Sequence, residues 1–98
     1  MKDLTQHIAV LYLDFHIPEA QSLKDKRQVL KSIKDKVRRE FNVSVAELDG
    51  QDKWQVGTLA FAMIGNDGRY IDSCLQNIVS LVERNDGIQI CEQRLEIL

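Results

Sequence analysis

Along the chain the spacing of apolar residues alternates between two rhythms. Their order is two-residue, helical, two-residue, two-residue, helical, two-residue, and few folds accept that order. From His7 to Ile17 the odd positions Ala9, Leu11, Leu13, Phe15 and Ile17 are all apolar, while the even ones run Ile8, Val10, Tyr12, Asp14, His16. This is the pattern of a strand with one buried face and one mixed face. Pro18 stops it. Ser22 then stands where it can cap a helix, with Asp25 three positions on, where a carboxylate favours the free amides. At about 100° per residue, Leu23, Val29, Leu30, Ile33, Val37 and Phe41 gather within about 120° of arc, so a helix over 23–40 with one apolar face is predicted.

Val43, Val45 and Leu48 mark a second strand, and Asp49-Gly50-Gln51-Asp52 supplies a turn whose glycine tolerates positive φ. A third strand is predicted from Trp54 to Ile64, ending at the turn residues Gly65-Asn66-Asp67-Gly68. From Arg69 to Arg84, Ile71, Cys74, Leu75, Ile78, Val79, Leu81 and Val82 recur at helical spacing. Asn85-Asp86-Gly87 ends that helix. Ile88, Ile90, Leu95 and Ile97 outline a last strand whose alternation slips near Cys91 to Gln93, which is the mark of a bulge.

A βαββαβ order in 98 residues leaves room for one domain, 1–98, in which two right-handed crossovers interleave. The expected class is α+β: a ferredoxin-like sandwich, a four-stranded antiparallel sheet of order 4-1-3-2 with two helices on one face. Strand 1 is then central. The other sheet face has no helix, and Ile8, Val10 and Tyr12 make one end of it too apolar to sit bare in water. A homodimer covering those three residues is expected.

The formal charge of −2 is unevenly spread. Between Lys24 and Arg39 stand eight basic and two acidic residues; elsewhere there are five basic and thirteen acidic ones. Such a concentrated field selects an anionic partner. The apolar run from Ile8 to Phe15 falls far short of the roughly 20 residues that span a bilayer. Lys2 is answered at once by Asp3 and no small-residue cleavage site follows, so a cytoplasmic chain is expected. Cys74 and Cys91 form no C-x-x-C pair, and both are read as reduced, buried thiols.

Four blocks in order carry a family resemblance: Leu13-Asp14-Phe15-His16-Ile17-Pro18-Glu19-Ala20, Ser22-Leu23-Lys24-Asp25-Lys26-Arg27, Phe41-Asn42-Val43-Ser44-Val45-Ala46-Glu47, and Gln51-Asp52-Lys53-Trp54-Gln55. Together they resemble the YlxP-like family of small bacterial proteins over essentially the whole chain. That family carries no established activity and is often encoded beside translation-initiation and ribosome-maturation factors. The resemblance implies a bacterial cytoplasmic protein with a connection to RNA or the ribosome, and it implies no catalytic residue.

The basic residues Lys24, Arg27, Lys31, Lys34 and Arg38 fall in one row beside the apolar face of the first helix, about 21 Å long, a length that tracks several phosphates. The bland alternative is a solvated face, with Asp35 pairing Lys31 or Arg39. Lys26 falls inside the apolar arc, and its ammonium is expected to reach solvent from the first turn. Its rival role is an anion pocket with Ser22 at the helix N-terminus. Asp14, His16, Glu47, Asp49 and Asp52 should share one end of the sheet, but they lack metal-ligand spacing, and ion pairs with the start of the first helix explain them better. Tyr12 and Trp54 are assigned to a dimer interface rather than to base stacking, since Trp54-Gln55-Val56-Gly57-Thr58-Leu59-Ala60-Phe61 lacks an RNA-recognition signature. The loop His16-Ile17-Pro18-Glu19-Ala20-Gln21 has no glycine-rich phosphate cradle, which disfavours an acylphosphatase. The expected function is therefore a non-enzymatic RNA- or ribosome-associated module acting as a homodimer, without cofactor or metal. A small-molecule-sensing or protein-scaffolding dimer is the alternative.

Overall fold

The computed structural model describes residues 6–50 and 52–98. Its elements follow the predicted order: β1 (His7–His16), α1 (Leu23–Glu40), β2 (Ser44–Asp49), β3 (Val56–Gly65), α2 (Gly68–Glu83) and β4 (Gln89–Ile97). The antiparallel sheet runs β2-β3-β1-β4. This is the expected order 4-1-3-2 read from the other edge, and it is the ferredoxin-like topology.

The alternation in β1 does what it promised. Leu11, Leu13 and Phe15 are buried on the helix side together with Leu59, Phe61 and Met63 of β3. Against them pack Leu30, Ile33 and Val37 of α1 and Ile71, Leu75, Ile78 and Val82 of α2. Each such side chain contributes about 1.5–3 kcal/mol on leaving water. The first helix begins as its sequence indicated. The Ser22 hydroxyl accepts the Asp25 N–H at 3.0 Å, and the Asp25 carboxylate accepts the Gln21 N–H, one residue before the cap, at 3.0 Å, so two donors are satisfied. Asp67 caps α2 by accepting from the N–H groups of Arg69 and Tyr70. Gly50, at φ 71°, makes the β2–β3 turn, and a Cβ there would stand 2.8 Å from the Val56 carbonyl oxygen.

Several expectations need correcting. Trp54 lies before β3, in the loop, and is 53% exposed, because the ladder begins only where Val56 meets His16. It joins neither a strand nor a sheet face. The irregularity in β4 is present: Asp14 pairs with Glu92 and Phe15 with Ile90, which leaves Cys91 as the extra residue. A bulge on an outer strand turns that residue outward, so Cys91 is exposed and only Cys74 is buried. Leu95 and Ile97 point to the helix side yet stay exposed beside the first turns of α2. Gln51, the Asp49 side chain, and Lys2 and Asp3 lie outside the described residues.

Replacing Ser22 by alanine is expected to remove about 1 kcal/mol of stability while leaving the circular dichroism spectrum unchanged. A urea titration with an unshifted midpoint would contradict the cap.

Candidate functional site

Two groups of charged residues were singled out on α1, and the structure gives them opposite fates. The first is Lys26, 1% exposed. Its stem lies in the apolar arc of the helix as the periodicity required, but its ammonium does not reach water. It donates to the carbonyl oxygens of Gly50 and, at 2.7 Å, Lys53, and it meets the Glu47 carboxylate at 2.9 Å. The Phe15 ring centroid lies 5.7 Å away. Three oxygens crowd the ammonium of this 1% exposed residue, which closes it to an external anion. The Ser22 hydroxyl is taken by the Asp25 N–H and the Lys26 ammonium by its own oxygens, so the anion pocket expected of Ser22 and Lys26 is not formed.

Around Lys26 the β1–α1 loop and the β2–β3 loop are tied together. Gln55 donates from its side chain to the carbonyl oxygens of Pro18 and Ala20, and its own carbonyl accepts the Ile17 N–H at 2.7 Å. The sequence blocks that suggested a family thus meet in space at the start of α1. Of the carboxylates expected at this end, Glu47 takes the ion-pair role with Lys26, and Asp14 accepts the Thr58 hydroxyl at 2.7 Å on the other sheet face. Among the described residues no group of three or more His, Cys, Asp and Glu is arranged to hold a metal ion.

The second group is the basic row. Lys24, Arg27, Lys31 and Arg38 are exposed and Lys34 is half-buried, all along one flank of α1. Arg38 reaches the Val45 carbonyl at 3.4 Å, so the row overhangs the outer strand β2. Lys31 pairs with Asp35 at 2.7 Å, one turn on. That hydrogen bond and the surrounding positive charge hold the Asp35 carboxyl below its ordinary pKa. Among the described residues, Lys24, Arg27 and Lys34 pair with no carboxylate. On the helix-free face, Tyr12, Asp14, Leu48, Thr58, Glu92, Gln93 and Arg94 line a hollow of about 210 Å³, with the Arg94 guanidinium 4.6 Å from the Tyr12 ring centroid. It is smaller than the roughly 300–1,000 Å³ of sites that enclose small ligands.

Residues 8–95 match the family model described as a protein of unknown function, DUF503. The chain belongs to that family. Among curated proteins it is similar to the uncharacterized protein YlxP of Bacillus subtilis (strain 168), 36% identical over 80 residues, covering 82% of this chain and 87% of that protein. The YlxP-like resemblance read from the four blocks is therefore correct, and DUF503 membership assigns no activity. A solved structure of similar fold is the de novo designed protein Foldit4, with a TM-score of 0.54 and 17% identity, covering 93% of this chain and 96% of that one. That likeness concerns the fold alone. No helix among the described residues of this DUF503 member is long and apolar enough to cross a membrane.

The oxygens that surround Lys26 could not be found by pattern. Two are backbone carbonyls, which every residue carries, and they stand 24 and 27 positions away in the chain. Lys26→Met is expected to cost about 3–5 kcal/mol, because it removes the cation of a largely buried ion pair and the donor that the Lys53 carbonyl accepts from. Glu47→Gln should cost less, since an amide oxygen still accepts from the ammonium. Equal urea midpoints for Lys26→Met and the parent protein would refute the buried ion pair.

Proposed function

We propose that the chain is a non-enzymatic, cytoplasmic RNA- or ribosome-associated module, working as a homodimer, whose α1 flank lies along a phosphate backbone. The observation that supports this reading is the geometry of the basic row. Lys24, Arg27 and Lys34 lie on one flank without a carboxylate partner among the described residues, on a helix held at its first turn by Lys26 and over β2 by Arg38. A solvated helix face ordinarily interleaves both signs, whereas this one gives a single acidic partner to five bases. A fixed helix also presents its charges without a further ordering cost.

The small-molecule-sensing alternative receives less support, because the hollow on the opposite face is undersized and partly filled by the Arg94–Tyr12 stack, and the larger hollows along β4 (about 490 Å³) and at Asp52–Val56 (about 480 Å³) are open to solvent rather than enclosing. Binding through the row has a measurable signature. Each phosphate contact on single-stranded RNA adds about 0.7 to the slope of log affinity against log salt. Exchanging Arg27 and Lys34 for glutamine should flatten that slope by about 1.4, with the helix preserved because glutamine is a good helix former.

Asp35→Asn should act in the other direction. Releasing Lys31 from its partner is expected to steepen the slope by up to about 0.7. Arg69→Gln with Arg84→Gln on α2 should leave it nearly unchanged and so controls for net charge. Equal flattening by both pairs, or no RNA affinity at low salt in a fluorescence-anisotropy titration, would refute the reading.

A further inference from the structure

The helix-free face of the sheet is the second surface that the molecule leaves open. Toward one end of its two central strands Ile8, Val10 and Tyr12 of β1 lie beside Ile64, Ala62 and Ala60 of β3. Ile64 is 61% exposed, and Leu48 and Val56 toward the other end are exposed as well. Small residues keep the middle flat: Ala46 of β2 pairs with Ala60 on the same face. Two sheets approach to about 10 Å only over such a surface.

We infer that this face is the contact between two copies of the chain, packed sheet against sheet about a two-fold axis. Three observations select a second copy as the occupant. The charged residues here are Asp14 and, on β4, Glu92, Arg94 and Glu96, so the face is acidic and repels phosphate, whether of RNA or of an anionic membrane. Their order alternates in sign along β4. A two-fold axis running across the strands sets Arg94 of one copy against the partner's Glu92 or Glu96, and the reverse, which is the self-complementarity an isologous contact needs. Area is the third. Three strands about 30 Å long and the shorter β2, about 20 Å, at a spacing of about 4.8 Å cover about 550 Å² per copy before side-chain relief, which brings the pair close to the roughly 1,200 Å² at which stable interfaces begin.

This arrangement supplies the geometry of the homodimer in the function proposed above, but it rests on the sheet face alone and needs no RNA. It leaves both basic rows of α1 in the outer helix layers.

The test is sedimentation equilibrium on the full chain without nucleic acid. The expected mass is twice 11.3 kDa at micromolar concentration. Ile64→Lys and Val10→Asp should each weaken the dimer by about 100-fold or more, by placing an unpaired charge in an apolar contact. Ile97→Lys is the control, since Ile97 is 72% exposed but faces the helix side. It should leave the dimer intact. Ile64 is exposed in the single chain, so Ile64→Lys should keep its fold by circular dichroism and carry the test even where Val10→Asp does not fold. A monomeric parent protein, a dimer that survives Ile64→Lys, or a dimer broken by Ile97→Lys would each overturn the inference. None of these outcomes alters the salt-slope test of the α1 row, so phosphate binding by that row and the sheet-face dimer fail separately.

Discussion

An ammonium group that cannot reach water must be met by oxygen on every side, and Lys26 imposes that condition on the first turn of α1. The carbonyl oxygens of Gly50 and Lys53 and the carboxylate of Glu47 come from β2 and the loop after it. Transferring an ammonium out of water costs several kcal/mol, so the loop, the strand and the helix must assemble together for the charge to be tolerated. Gly50 makes this possible through its positive φ, because a side chain there would collide with the Val56 carbonyl oxygen. Gln55 then ties the same loop to Pro18 and Ala20. The start of α1 is thereby fixed against the sheet at the level of individual hydrogen bonds, and the direction of the helix follows.

With that direction set, the charges of the molecule separate by face. Basic residues flank α1 over β2, where Arg38 leans on the Val45 carbonyl. Acidic residues and a single arginine lie among apolar ones on the far side of the sheet. The two surfaces sit on opposite sides of one thin sandwich, so contacts at one do not obstruct the other. This follows from the topology: both crossovers of a βαββαβ chain place their helices on the same side. Among the described residues neither surface holds three or more His, Cys, Asp and Glu arranged for a metal ion, and the hollow on the sheet face measures about 210 Å³.

Residues whose partners lie within a few positions could be read in advance. Ser22 and Asp25 cap α1, Lys31 pairs with Asp35 and Gly50 turns the chain, all through spacings of four residues or fewer. The slip near Cys91 was visible as a break in alternation, yet its consequence, an exposed thiol, depends on β4 being an outer strand. Trp54 reads as strand because aromatic residues favour strands, but the ladder starts two residues later. The periodicity puts Lys26 in the apolar arc, where the structure has it, but its ammonium stays buried because the β2–β3 loop closes over it, and nothing nearby in sequence indicates that closure.

The sequence by itself determined the six elements, their order and hence the sheet, because apolar period and capping are short-range properties and few topologies satisfy them in so short a chain. It also determined that one flank of α1 would be basic. Only the tertiary structure decided which charges stay available. Lys26 is consumed by oxygens from distant residues, Lys31 and Arg38 are partly engaged, and Lys24, Arg27 and Lys34 remain unpaired by carboxylates among the described residues. Carbonyl oxygens carry no sequence signature, and the cost of burying a charge depends on everything that surrounds it, so that decision belongs to the assembled fold.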